Sequence, residues 1–151
     1  YDGIMLSNGP GDPQENTEII ENLKVLIKSG MPIFGICLGH QLLALSIGAQ
    51  TKKMTFGHRG VNHPVKDLAH DRTYITSQNH GYAVLGETVN PEIARVSHIN
   101  INDNTCEGIE HLHAPIFTVQ YHPEVKPGPE DTAYLFDQFI ALMDEKKGGA
   151  Q

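Results

Sequence analysis

The chain has 151 residues, 39% of them hydrophobic and 19% charged, and its 11 basic and 18 acidic side chains give a formal net charge of −7. This length suits one domain with a single substantial core. The acidic balance argues against a nucleic-acid partner, which calls for a basic surface. The longest apolar runs fall far short of the ~20 residues a membrane helix needs, so no membrane partner is expected.

Tyr1-Asp2 leads straight into the apolar stretch Gly3-Ile4-Met5-Leu6, without the pattern of a signal peptide. A first residue other than Met, set directly before a strand, reads as part of a longer polypeptide. Two cysteines, Cys37 and Cys106, could form at most one bridge. A reducing, cytoplasmic setting with a free working thiol is therefore expected.

A short strand over 3–7 is broken by Asn8-Gly9-Pro10-Gly11-Asp12-Pro13, whose glycines and prolines dictate a shaped loop. Ile19, Ile20, Leu23, Leu26 and Ile27 recur at one-face helical spacing and predict a helix from about Asn16 to Ser29, closed by Gly30 and Pro32. Residues 32–36 predict a buried strand, and a second helix runs from about His40 to Ile47. Strand–helix–strand–helix implies parallel strands with right-handed crossovers. Segments near 51–56, 73–77, 93–101, 105–111 and 116–121 read as short antiparallel strands. A helix from about Glu130 to Glu145 follows, with one face marked by Leu135, Phe136, Phe139, Ile140 and Met143, and the last six residues are expected to fray.

Gly35-Ile36-Cys37-Leu38-Gly39, between a buried strand and a helix, has the form of a nucleophile elbow with cysteine as the nucleophile. A tight strand-to-helix turn lifts the central side chain to the carboxyl edge of the sheet, and small residues two before and two after avoid collisions across the turn. Backbone N–H groups at the helix start favour a thiolate and can later hold an oxyanion. Taken alone, Cys37 could equally be a buried core cysteine. His122-Pro123-Glu124, after the strand-like Ile116–Tyr121, weighs on the side of catalysis. Carboxyl ends of parallel strands share one edge, so His122 can reach Cys37. Glu124 can orient the imidazole, and Pro123 stiffens the pair. Cys37 would attack, His122 would shuttle the proton, and Glu124 would hold His122.

These residues resemble the class I (triad) glutamine amidotransferases, and more narrowly the glutaminase domain of carbamoyl phosphate synthetase small chains. The resemblance rests on Ser7 to Pro13, Phe34 to Gln41, Phe56-Gly57-His58-Arg59-Gly60-Val61-Asn62-His63-Pro64-Val65, Ser77-Gln78-Asn79-His80-Gly81-Tyr82 and Gln120 to Glu124. The elbow and the His-Pro-Glu run are shared across the class, whereas the third and fourth stretches point to carbamoyl phosphate synthetase. Tyr82 stands where other members carry Phe.

The resemblance implies an α/β, flavodoxin-like fold: a central, mostly parallel sheet flanked by helices, with a small antiparallel β portion. It implies that Gly9, Gly11, Leu38, Gln41, Asn79, Gly81 and Tyr82 hold glutamine, with the Leu38 N–H and a glycine N–H of the 8–13 loop as oxyanion hole. It further implies that residues 1–151 form an amidotransferase domain lacking its first strands, with an N-terminal small-subunit domain ahead of it. The partner is a large synthetase subunit, which uses ATP to make carbamoyl phosphate for pyrimidine and arginine synthesis. This chain then needs no cofactor of its own. Other readings are an amidotransferase feeding anthranilate or GMP synthesis, a non-catalytic truncated fragment, or, more remotely, a cysteine peptidase. Nine histidines show no metal-ligand spacing, so no metal is expected, and His58 and His80 read as hydrogen-bonding structure near the pocket.

Overall fold

The computed structural model describes residues 2–7, 12–123 and 134–149. Within these, one mixed sheet contains β1 (Ile4–Leu6), β2 (Ile33–Ile36), β3 (Thr51–Asp67), β4 (Arg72–Val84), β5 (Ala94–Asn100), β6 (Cys106–His111) and β7 (Ile116–Val119). Their spatial order is β1-β2-β7-β6-β4-β3-β5. The helices are α1 (Thr17–Lys28), α2 (Leu38–Ser46) and α3 (Tyr134–Gly149).

β1, β2 and β7 run parallel, with Ile33 opposite Ile116 and Ile36 opposite Val119. Every residue of β2 and β7 is buried, as continuous apolar runs in a sheet covered on both faces should be. Ile33 packs with Leu23 of α1 and with Leu42 and Leu43 of α2. Phe34, on the opposite face, stacks on Phe117 at 4.5 Å between ring centroids and meets Phe139 of α3 at 5.9 Å. The period-2 alternation of one strand thus faces two helical layers. Truncating Phe34 to Ala should cost about 3–5 kcal/mol.

β6 pairs antiparallel with β7 and with β5. The β3–β4 hairpin, with register shifts between Lys53 and His58 and between Gly60 and His63, extends this half. Four of the seven described strands pair only antiparallel, against five segments read so from the sequence: the fifth, Ile116–Val119, runs parallel to β2 and antiparallel to β6. The hairpin strands also run well beyond the predicted 51–56 and 73–77. Bulges break the period-2 signal there, with Gly57 at φ 71° and Gly60 at φ 114°, and polar side chains such as His58, Gln78 and His80 occupy buried positions. α1, α2 and the strands at 94–100 and 106–111 lie close to prediction. α3 continues to Gly149, past the expected end at Glu145.

Candidate active site

Cys37 follows the last residue of β2 and caps the N-terminus of α2. Its backbone has φ 55° and ψ −108°, a combination strongly unfavourable for a side chain bearing a Cβ. The conformation is held from both sides. Cys37 N–H donates to the Val119 carbonyl at 2.9 Å, and the Cys37 carbonyl accepts from Gln41 N–H at 3.2 Å. A Cβ on Gly35 would lie 2.7 Å from Leu43 Cδ1, and one on Gly39 would run into the Leu6 carbonyl. The glycines therefore let strand, turn and helix approach this closely. As at any helix start, the first amides of α2 have no intrahelical acceptor.

β7 lies directly beside β2, so its continuation passes the same edge. His122, three residues beyond Val119, is half-buried and donates its backbone N–H to the Ser77 carbonyl at 2.9 Å. The topology brings Cys37 and His122 to the carboxyl ends of neighbouring parallel strands. Glu124 lies outside the described residues, as do Gly9 and Gly11. One contact was not foreseen. Gln120, fully buried, donates its side-chain amide to Cys37 Sγ at 3.6 Å, while its Oε1 accepts from Gln41 Nε2 at 2.9 Å.

Residues 1–142 match the family model described as Glutamine amidotransferase class-I. The chain belongs to the class-I glutamine amidotransferase family. A protein called carbamoyl phosphate synthase small chain, from Bacillus caldolyticus, is 58% identical over 149 residues, covering 97% of this chain and 41% of that protein. The carbamoyl phosphate synthase pyrimidine-specific small chain of Bacillus subtilis is 57% identical over 151 residues, covering 99% of this chain and 41% of that one. The chain thus spans about two fifths of the length of these relatives. Two solved structures share the amidotransferase fold. One, from Thermoplasma acidophilum and assigned to GMP synthase, has a TM-score of 0.79 at 23% identity, over 98% of this chain and 75% of that one. The other, a glutamine amidotransferase from Thermotoga maritima, has a TM-score of 0.66 at 17% identity, over 97% of this chain and 64% of that one.

In this amidotransferase domain, the described residues of the expected glutamine site come from α2 and β4. Leu38 opens α2 and is half-buried, and Gln41 lies one turn along, buried. Gln41 Nε2 is spent within the protein, on the Tyr82 carbonyl at 2.9 Å as well as on Gln120. Gly81 and Tyr82 are half-buried on β4, and Asn79 is exposed on the same strand. The Tyr82 carbonyl also accepts from His80 Nδ1, two residues back on the same strand, at 2.7 Å.

On β3, β4 and β6, His58, His80 and Glu107 are buried together. Burial opposes charge on His58, but hydrogen bonds to Glu107 and Asp103 outweigh it and raise its pKa to about 9. Burial lowers His80 to about 4, assisted by the charges of His58, His63 and His122 and opposed by its bond to the Tyr82 carbonyl. Burial raises Glu107 against the pull of His58. Cys106, buried at the start of β6, has its thiol pushed up by burial to about 12. That suits the structural part read for it from the sequence.

Gln120 was within sight as part of the Gln120-Tyr121-His122 run. Its bond to the thiol follows only from the β2–β7 pairing, which sequence spacing does not reveal.

Proposed function

We propose that this domain hydrolyses glutamine with a Cys37–His122–Glu124 triad and supplies the ammonia to carbamoyl phosphate synthesis. The observation that carries the reading is the strained Cys37 at the end of β2, beside the strand that leads to His122. Cys37 Sγ, as thiolate, attacks the side-chain carbonyl carbon of glutamine. The carbonyl oxygen takes the negative charge, facing the Leu38 N–H and an amide of the 8–13 loop. On collapse the C–N bond breaks, and His122 gives its proton to the departing ammonia. The γ-glutamyl thioester is then attacked by water, which His122 deprotonates, and glutamate leaves with the thiol restored. Glu124 holds the imidazole, while Gln41, Asn79, Gly81, Tyr82, Gly9 and Gly11 hold the substrate.

In the same reading the chain is the amidotransferase domain of a longer small subunit, with strands and an N-terminal domain ahead of Tyr1. Matching two fifths of its relatives' length supports this. The partner is a large subunit that spends ATP on bicarbonate, so the chemistry here draws on no cofactor in this chain. No described helix is long and apolar enough to cross a membrane, and a cytoplasmic site completes the proposal. A glutamine-analogue electrophile, followed by mass spectrometric mapping, tests it. The adduct is expected on Cys37, and labelling of Cys106 with Cys37 intact would overturn the assignment. Co-purification with a large ATP-binding protein, as opposed to an anthranilate or GMP synthesis partner, tests the destination of the ammonia.

A further inference from the structure

Three strands of the antiparallel half each place one metal-capable side chain at a common point. His58 of β3, His80 of β4 and Glu107 of β6 are all buried, and one ligand atom of each lies within 4.8 Å of the others. We propose that His58 Nδ1, His80 Nε2 and Glu107 Oε1 form a binding site for a single divalent transition-metal ion of the zinc type.

Spacing is the first argument. Zinc bonds nitrogen and oxygen ligands at about 2.0–2.1 Å, which in a tetrahedron sets neighbouring ligand atoms roughly 3.3–3.4 Å apart. His58 Nδ1 is 3.3 Å from His80 Nε2 and 3.5 Å from Glu107 Oε1. Both edges match.

The outward atoms are the second. His58 Nε2 meets Asp103 Oδ2 at 2.6 Å, and His80 Nδ1 meets the Tyr82 carbonyl at 2.7 Å. A carboxylate and a carbonyl only accept, so each outward nitrogen has a partner for its proton, which leaves the inward nitrogen of each ring to a metal in exchange for any proton it carries. This is the usual backing of metal-bound histidines. Glu107 Oε2 accepts from Gln78 Nε2, while Glu107 Oε1 is fully buried and faces His58 Nδ1 at 3.5 Å. A buried carboxylate oxygen facing an imidazole calls for positive charge, either a metal ion or a proton on His58. Gln78 Oε1, 2.7 Å from His80 Nε2, accepts that nitrogen's proton when no ion is bound.

Charge and ligand type are the third. Two neutral imidazoles and one carboxylate leave +1 on a divalent ion, which Asp103 behind His58 offsets. Mixed imidazole–carboxylate ligation favours zinc and its neighbours over magnesium or calcium, which take oxygen alone. The ion would clasp β3, β4 and β6 together and fix the Tyr82 carbonyl on which Gln41 also rests. This site stands apart from the glutaminase reading, since none of its ligands enters that chemistry.

The competing occupant is a proton on His58 shared with Glu107, and the experiment separates the two. The chain carrying Cys37→Ser, so that the nucleophilic thiol takes no metal, is stripped with a chelator. Zinc is then titrated against a chromogenic chelator. One equivalent per chain should bind, and the cobalt form should show ligand-field bands without a thiolate charge-transfer band, which excludes Cys106. Glu107→Gln and His58→Gln should each lose the equivalent, and Asp103→Asn should weaken it by about 10–100-fold. Should Glu107→Gln fail to fold, His58→Gln and the cobalt spectrum carry the decision. Binding below one equivalent would overturn the proposal. So would full retention in the ligand variants, which would place the metal on surface histidines, or a thiolate band.

Discussion

Gln120 joins the nucleophile to the pocket: its side-chain amide donates to Cys37 Sγ at 3.6 Å, and its Oε1 receives Gln41 Nε2 at 2.9 Å. The bond holds the sulfur in place beside Gln41 and gives it a donor for the negative charge that builds up during attack. Gln120→Glu would replace that donor with a carboxylate of similar shape, and a like charge about 4 Å away opposes the thiolate by up to about 4 kcal/mol at an intermediate dielectric. Labelling of Cys37 by a glutamine-analogue electrophile should therefore slow by at least about tenfold, and in Gln120→Leu by roughly fivefold, the worth of one hydrogen bond. Labelling at the parent rate in both variants would leave Gln120 with only a packing role.

Cys37 at φ 55° makes a prediction about stability that runs against the usual ranking of residues. Glycine in an ordinary position is less favourable than alanine, because it loses more backbone entropy on folding. Here alanine keeps the Cβ that the turn strains, and glycine removes it. Strain of this kind is worth about 1–3 kcal/mol. Cys37→Gly should thus equal or exceed Cys37→Ala in stability to urea, although both lose the nucleophile. If Cys37→Ala is the more stable by about 1 kcal/mol, the elbow is relaxed.

His122 and Glu124 divide their labour unequally in the proposed mechanism. Proton transfer by a positioned base is worth typically 10²–10⁴-fold in rate. In the complete complex, His122→Asn should abolish glutamine-dependent carbamoyl phosphate synthesis and spare the ammonia-dependent reaction. A parallel fall in both would mean structural damage and remove His122 from the proton-transfer role.

The sequence foretold the β2–α2 turn better than the pairing of the strands, for a physical reason. β2 and α2 are neighbours in the chain, so Gly35, Cys37 and Gly39 announce their turn by local sterics alone. The β3–β4 hairpin draws its length from cross-strand pairing, His58 opposite His80 across a bulge, which no local period encodes. For the same reason Glu107, brought beside His58 by strand order, gave no signal in a search for ligand spacing.

The last prediction concerns acid. His40 is fully buried with Nδ1 against Thr118 Oγ1 at 2.6 Å, and burial, helped by the charges of His80 and His98, lowers its pKa to about 3. His98 packs against Ser97, Tyr134 and Asp67, and burial lowers it to about 4 despite the pull of the Asp67 carboxylate. Both values lie below the 6.5 of an unfolded histidine. Between them and 6.5 the unfolded chain therefore binds protons that the folded chain refuses. Their stabilising effect is complete above pH 6.5 and is lost as the pH falls toward 4. Two such groups near pH 5 give a slope of about 2–3 kcal/mol per pH unit. Asp67 does not set this window. Burial raises its pKa, but hydrogen bonds from His70 and Tyr134 prevail and hold it below the ordinary 3.8, so its contribution fades only at lower pH. Urea midpoints measured from pH 7 to 4.5 should fall steeply, and His98→Asn should roughly halve the slope that these two histidines contribute. A flat profile across that range would mean that His40 and His98 take up protons without unfolding the domain, and the neutral buried state assigned to them would have to be abandoned.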